Sequence, residues 1–197
     1  MTSSPHLTRR AVLAALALLP LNPPVAATRE RGEVRQAGSR ILVAYFSRSG
    51  NTRVVAGLIR RTLSADLFEI RPAVPYPEDY LETVAQAQRE RDSGYEPALE
   101  GRVSNMADYE TVFLGFPIWG QTAPPVIRAF LSQHELSDKT LIPFITHGGY
   151  GLDNSQSVLA RHAPKTRLRD GLVMQADQER QTMERVTSWL KGVEVRG

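Results

Sequence analysis

Cysteine is absent from this chain of 197 residues. That excludes disulfides, thiolate nucleophiles and cysteine-ligated metals. A Lys/Arg-rich block is also missing. The 24 basic and 21 acidic residues are interspersed and leave a formal charge of +3, so nucleic acid is not an expected partner. No apolar run reaches the roughly 20 residues that a membrane-spanning helix needs. The G-x-x-x-x-G-K-[ST] pattern of nucleoside triphosphatases does not occur, nor does G-x-G-x-x-G. No Ser-His-Asp arrangement, metal-ligand spacing or paired carboxylate motif stands out, and Asp153 and His162 are isolated. Hence no catalytic side chain and no metal site is assigned. What remains is ordinary in bulk: 42% hydrophobic and 23% charged residues, as in a globular protein with one sizeable core.

The first 27 residues read as separate from that core. Thr8-Arg9-Arg10 precedes the apolar run Ala11 to Leu21, followed by Pro23-Pro24 and Val25-Ala26-Ala27. A charged start, a short apolar stretch and small residues before a cleavage point form a secretory signal. The adjacent arginines resemble a twin-arginine signal, a receptor-read address. The expectation is therefore a signal over 1–27, a polar tether over 28–39 and a folded domain over 40–192. The protein would be periplasmic or otherwise exported, with no stable membrane span once the signal is removed. Removal takes away Arg9, Arg10 and no acid, which leaves a charge of +1. Charge alone then names no partner.

From Arg40 onward, strand and helix patterns alternate. Ile41 to Phe46, Thr111 to Phe116 and Leu141 to Thr146 are continuous apolar runs of strand length. Leu67 to Ile70 and Gly171 to Met174 are shorter. Pro143 interrupts one run, which places it near a strand start or at a bulge. Val54, Val55, Leu58, Ile59 and Leu63 share one helical face. Glu78 to Arg91 reads as a polar, mostly exposed helix. Pro125 to Leu131, Asn154 to Arg161 and Gln178 to Leu190 complete the helices. Strands buried on both faces and separated by helices imply an α/β fold: a doubly wound five-stranded parallel sheet of order 2-1-3-4-5, with helices on both faces. Ligands in that architecture bind beyond the carboxyl ends of the strands, at the switch point.

Three loops fall there. After Phe46 comes Ser47-Arg48-Ser49-Gly50-Asn51-Thr52, three hydroxyls and a glycine between a strand and a helix. Hydroxyls and backbone N–H groups converging on a helix start suit a phosphate, and the helix dipole favours the anion. A helix cap explains one of these residues but not the cluster. The second loop, Gly115-Phe116-Pro117-Ile118-Trp119-Gly120-Gln121, is apolar and aromatic where loops are usually polar. Such a wall suits a flat ring, although a tryptophan can equally be core. The third, Thr146-His147-Gly148-Gly149-Tyr150-Gly151, exposes backbone N–H groups that could bond a polar ring edge.

The first loop resembles the phosphate loop of the flavodoxin family, T-x-T-G-x-T or, in one branch, S-x-[ST]-G-N-T. The second is similar to the G-[YF]-P-I-W segment of that branch, with Gly120 standing where many relatives carry a second tryptophan. The third resembles T-S-G-G-S-G, with His147 and Tyr150 replacing serines. The resemblance spans residues 40–190 and implies FMN as cofactor. It assigns Ser47, Ser49, Gly50, Asn51 and Thr52 to the phosphate. It assigns Pro117, Ile118, Trp119 and Gly120, with Thr146, His147, Gly148, Gly149 and Tyr150, to the flavin ring. Arg48 stands at the variable position and receives no role. Two functions follow from such a cofactor: electron transfer to a redox partner protein, or an FMN-dependent NAD(P)H:quinone-type oxidoreductase with a small acceptor.

Overall fold

The computed structural model describes residues 33–34, 38–149, 151–175, 179–193 and 195. The expected signal and most of the tether lie outside them. The elements run β1 (Glu33–Val34), β2 (Ile41–Tyr45), α1 (Asn51–Leu63), β3 (Asp66–Glu69), α2 (Tyr80–Ser93), β4 (Thr111–Pro117), α3 (Pro125–Gln133), β5 (Thr140–His147), α4 (Ser155–His162), β6 (Arg167–Leu168), β7 (Leu172–Gln175) and α5 (Glu179–Lys191). A turn of 3-10 helix, Met106–Asp108, precedes β4.

The sheet order is β1-β3-β2-β4-β5, closed at the far edge by β6 and β7. Counting only the parallel strands, this is the order 2-1-3-4-5 expected for the fold. Two details go beyond it. The Glu33–Val34 part of the tether pairs antiparallel with β3, so it extends the sheet. The fifth strand is split: β5 pairs with β6 at Leu141↔Leu168 and with β7 at Phe144↔Leu172. The edge strand therefore carries one more residue than β5 between those pairs, which is a bulge. Pro143 lies opposite it, inside β5 and not at its start. The Arg169 N–H donates to the Leu141 carbonyl at 2.9 Å. Since parallel strands alternate their bonding sides, the position lacking an N–H at Pro143 falls in the break.

The apolar runs are buried on both faces, as parallel strands covered by helices must be. On one face Val43, Phe113, Ile142 and Phe144 pack with Val55, Ala56 and Ile59 of α1 and Val186 and Leu190 of α5. On the other, Leu42, Ala44, Val112, Leu114 and Ile145 pack with Val126, Ile127 and Phe130 of α3 and Leu159 of α4. The register pairs Tyr45 with Gly115 and Pro117 with Thr146. The carboxyl ends of β2, β4 and β5 thus reach one edge together, and the three loops meet there. Among the described residues no helix is long and apolar enough to cross a membrane.

Candidate functional site

The first loop turns at Gly50, which caps α1 with a positive φ of 95° and no side-chain hydrogen bond to the helix. The Gly50 N–H donates instead to Ser47 Oγ at 3.1 Å. The N–H groups of the first turn have no partner within the helix, and no acidic residue stands in that turn. Positive dipole, open donors and hydroxyls coincide, which suits a dianion. Ser49 and Asn51 line the cleft above. Ser47, Gly50 and Thr52 stand behind it and shape the loop.

Hydrogen bonds tie the three loops together. Thr52, 2% exposed, shares a 2.9 Å bond between its Oγ1 and Thr146 Oγ1, so the first loop is fixed to the third. The Ile118 N–H donates to the Thr146 carbonyl at 2.9 Å and the Phe46 N–H to the Gly115 carbonyl at 2.9 Å. His147 Nδ1 accepts from the Gly149 N–H at 3.0 Å. In the neutral ring the proton is then on Nε2. Tyr150 lies outside the described residues.

Trp119 is both core and wall. Its ring meets Phe46 edge-on at 5.2 Å and Tyr76 at 4.9 Å, while its residue also lines the cleft. Trp119 and Thr122 pair through two backbone bonds of 3.0 and 3.3 Å. The two residues between them, Gly120 and Gln121, both have positive φ, 54° and 69°. This is the mirror-image tight turn that asks for glycine. A Cβ at Gly120 would also sit 2.7 Å from Arg91 Nη1. The turn gives the physical reason for glycine at this position, since the tip of a flexible arginine can move aside.

Behind Trp119, the Tyr76 hydroxyl donates to Glu90 Oε2 at 2.8 Å. Gln86 Nε2 donates to Glu90 Oε1 at 2.8 Å, so both oxygens of this buried carboxylate are bonded. Burial, and then the bond to Glu90, pushes the Tyr76 phenol well above its ordinary range. It stays a neutral donor.

The cleft between these loops and α2 holds about 370 Å³, within the usual range for small-molecule sites. Its far wall is one face of α2. The helix read as polar and exposed contributes Tyr80, Thr83, Val84, Ala87 and Arg91. Their spacing of three, four and seven residues marks one helical face, and that was the available signal. Asp79 caps this helix by accepting from the Glu82 N–H at 2.9 Å. A guanidinium bonds across the cleft at each end of it: Arg48 Nη2 donates to the Glu78 carbonyl, and Arg91 Nη1 donates to the Gly120 carbonyl at 3.0 Å. Among the described residues no group of three or more acidic or histidine side chains could hold a metal ion.

A doubly wound sheet with such a cleft at its switch point defines a class: an α/β protein that binds a phosphate-bearing ligand with an apolar, planar portion. Comparison with protein families narrows this. The flavodoxin family model matches residues 40–193, and the chain belongs to that family. Two solved structures described as candidate flavoproteins are similar to it. One, from Bacteroides eggerthii, is 33% identical, covers 80% of this chain and 99% of its own, and superposes with a TM-score of 0.70. The other, from Bacteroides uniformis, is 31% identical over 78% and 99%, with a TM-score of 0.69. A Lactobacillus acidophilus flavoprotein solved in complex with FMN is 20% identical over 74% and 99%, with a TM-score of 0.58, and shares the fold. Comparison with functionally curated proteins gives no significant match.

Proposed function

We propose that this protein binds FMN in the cleft and transfers electrons through it. The supporting observation is the tied trio of loops. The open N-terminal turn of α1, Ser49 and Asn51 present donors for one phosphate. At the other end Pro117, Ile118 and Trp119 offer an apolar wall, and Gly148 a flexible backbone edge. That donor set fits a phosphate ester carrying a flat ring better than a bare anion, which would have no use for the wall. FMN, when bound, supplies the redox chemistry by taking up and releasing electrons. The chain's own residues bind and orient it. Thr52 and Thr146 hold the first and third loops in register. Trp119, backed by Phe46 and Tyr76, sets the wall. Gly148, which lines the cleft, frees a stretch of backbone to meet the ring's polar edge.

The electron partner is a redox protein or a small acceptor such as a quinone. The second wall that α2 adds, with Tyr80, Val84 and Ala87 facing the cleft, favours a small acceptor and so gives weight to an FMN-dependent oxidoreductase, with NAD(P)H as candidate donor. For the leader we propose export by the twin-arginine route, on the strength of Arg9-Arg10 before the apolar run. That route carries folded proteins, so FMN would be loaded before export. Lysine substitution of both arginines should then block translocation, and unaffected export would refute the route.

The cofactor claim is tested directly. The purified protein should be yellow and release FMN on denaturation. A colourless protein that takes up no added FMN would refute the reading. Anaerobic mixing of the loaded protein with NADH, NADPH and quinones then separates the two functions. Rapid bleaching by a nicotinamide supports the oxidoreductase, whereas inertness to nicotinamides supports the carrier.

A further inference from the structure

The cleft carries more positive charge than one phosphate uses. Arg48 and Arg91 line it, and no acidic side chain does so among the described residues. The two arginines stand at opposite ends. Arg48 belongs to the phosphate loop and bonds the Glu78 carbonyl just before α2. Arg91 lies in the last turn of α2 and bonds Gly120, next to Trp119. From Tyr80 to Arg91 the helix rises about 16 Å at 1.5 Å per residue. The anchors of the two guanidinium groups, Glu78 just before α2 and Arg91 in its last turn, are set apart by that length.

Arg91 is not used up by its own neighbours. Of its five N–H donors, two are engaged among the described residues: one on Gly120, and Nε on Asp92 Oδ1 at 3.0 Å. Asp92 does not line the cleft, and its side chain is 59% exposed. An ion pair at such a surface site is weak and leaves most of the guanidinium field in place. Beside Arg91 along the same helix face run Ala87, Val84 and Tyr80. Val84 and Tyr80 are 42% and 66% exposed, so the core does not account for them. An apolar strip ending in an under-used guanidinium fits a planar ring with an anionic substituent.

We propose that the strip Tyr80-Val84-Ala87 and Arg91 form an acceptor subsite selective for planar aromatic anions, such as quinones bearing a sulfonate or carboxylate. The proposal rests on the reading of the same cleft as an FMN site with a small acceptor. Arg91 holds the anionic substituent, and the apolar strip covers the ring.

The test is equilibrium binding to the FMN-loaded, oxidised protein, read from the perturbation of flavin absorbance and fluorescence, so no turnover is needed. The probes are 1,4-naphthoquinone-2-sulfonate and neutral 1,4-naphthoquinone. The sulfonate should bind at least tenfold more tightly, and added salt should weaken it alone. Compared at saturating FMN, Arg91→Gln should abolish the preference while leaving affinity for the neutral quinone within about twofold. Arg91→Lys, which keeps the charge, should retain part of the preference. At saturating FMN, Arg48→Gln should leave the preference intact. Equal affinities for the two quinones, or a preference that survives Arg91→Gln, would overturn the subsite and leave the FMN reading standing. Failure of the protein to take up FMN would overturn the FMN reading and the subsite with it.

Discussion

Replacing Thr52 by valine isolates the tie between the first and third loops. The two hydroxyls share one 2.9 Å bond, and Thr52 and Thr146 are 2% and 4% exposed. Valine has nearly the shape of threonine, so the substitution removes the bond without opening a cavity. It leaves the Thr146 hydroxyl buried without that partner. A neutral group stranded in this way costs about 1–3 kcal/mol. Thr146→Val should cost a similar amount. The double variant strands neither hydroxyl, so it should cost clearly less than the sum, with a coupling of about 1 kcal/mol. Urea denaturation of the four proteins reads these differences. FMN binding provides the functional arm. If the bond keeps the phosphate loop in register, each single variant should weaken FMN more than riboflavin, which lacks the phosphate. Thr52→Ser, which retains a hydroxyl, should recover most of the loss. Strict additivity in the cycle would refute the claim that the hydroxyls act as a pair. Equal losses for FMN and riboflavin would refute the link to the phosphate.

Three other outcomes follow from local geometry. Gly115→Ala places a Cβ about 2.1 Å from the Phe144 ring inside a closely packed sheet, so it should cost about 3 kcal/mol or more in urea denaturation. Tyr76→Phe removes a donor from the buried Glu90 carboxylate; a loss of about 1.5–3 kcal/mol is expected, and a neutral effect would show that the bond matters little. His134 accepts from the Val103 N–H at 3.1 Å, and its Nδ1 lies 2.8 Å from the Phe130 carbonyl, so the ring is held neutral. Burial depresses its folded pKa below the ordinary 6.5, and His162 is depressed for the same reason. Their contribution is intact above pH 6.5 and falls as pH drops below it, because the unfolded chain binds protons first. Denaturation midpoints between pH 7.5 and 5 should show that fall, with a shallower slope in His134→Gln; an unchanged slope would refute the assignment to His134.

Much of this protein is legible in its residues alone. Ile41–Tyr45, Thr111–Pro117 and Thr140–His147 are apolar without alternation, and only a parallel sheet covered on both faces buries such runs. The clustering of Ser47, Ser49, Gly50 and Thr52 behind a strand marked a candidate phosphate loop, because converging donors are a local property of a strand-loop-helix turn. The aromatic second loop and the glycine-rich third were equally visible, since a loop that is apolar, or nearly bare of side chains, departs from ordinary loop composition. Other features depended on contacts across the fold. Periodicity cannot say what faces a helix, and α2 has few apolar residues, so its role as the far wall appeared only once it lay across the loops. The bond between Thr52 and Thr146 joins residues far apart in sequence. Trp119 became both core and wall through Phe46 and Tyr76, one from each of two other segments. Arg48 had no role while it was only the variable position of a motif; the bond to Glu78 shows it bridging a cleft whose existence depends on how the whole chain packs. Local chemistry marked the candidate loops, and long-range packing decided the shape and charge of the space between them.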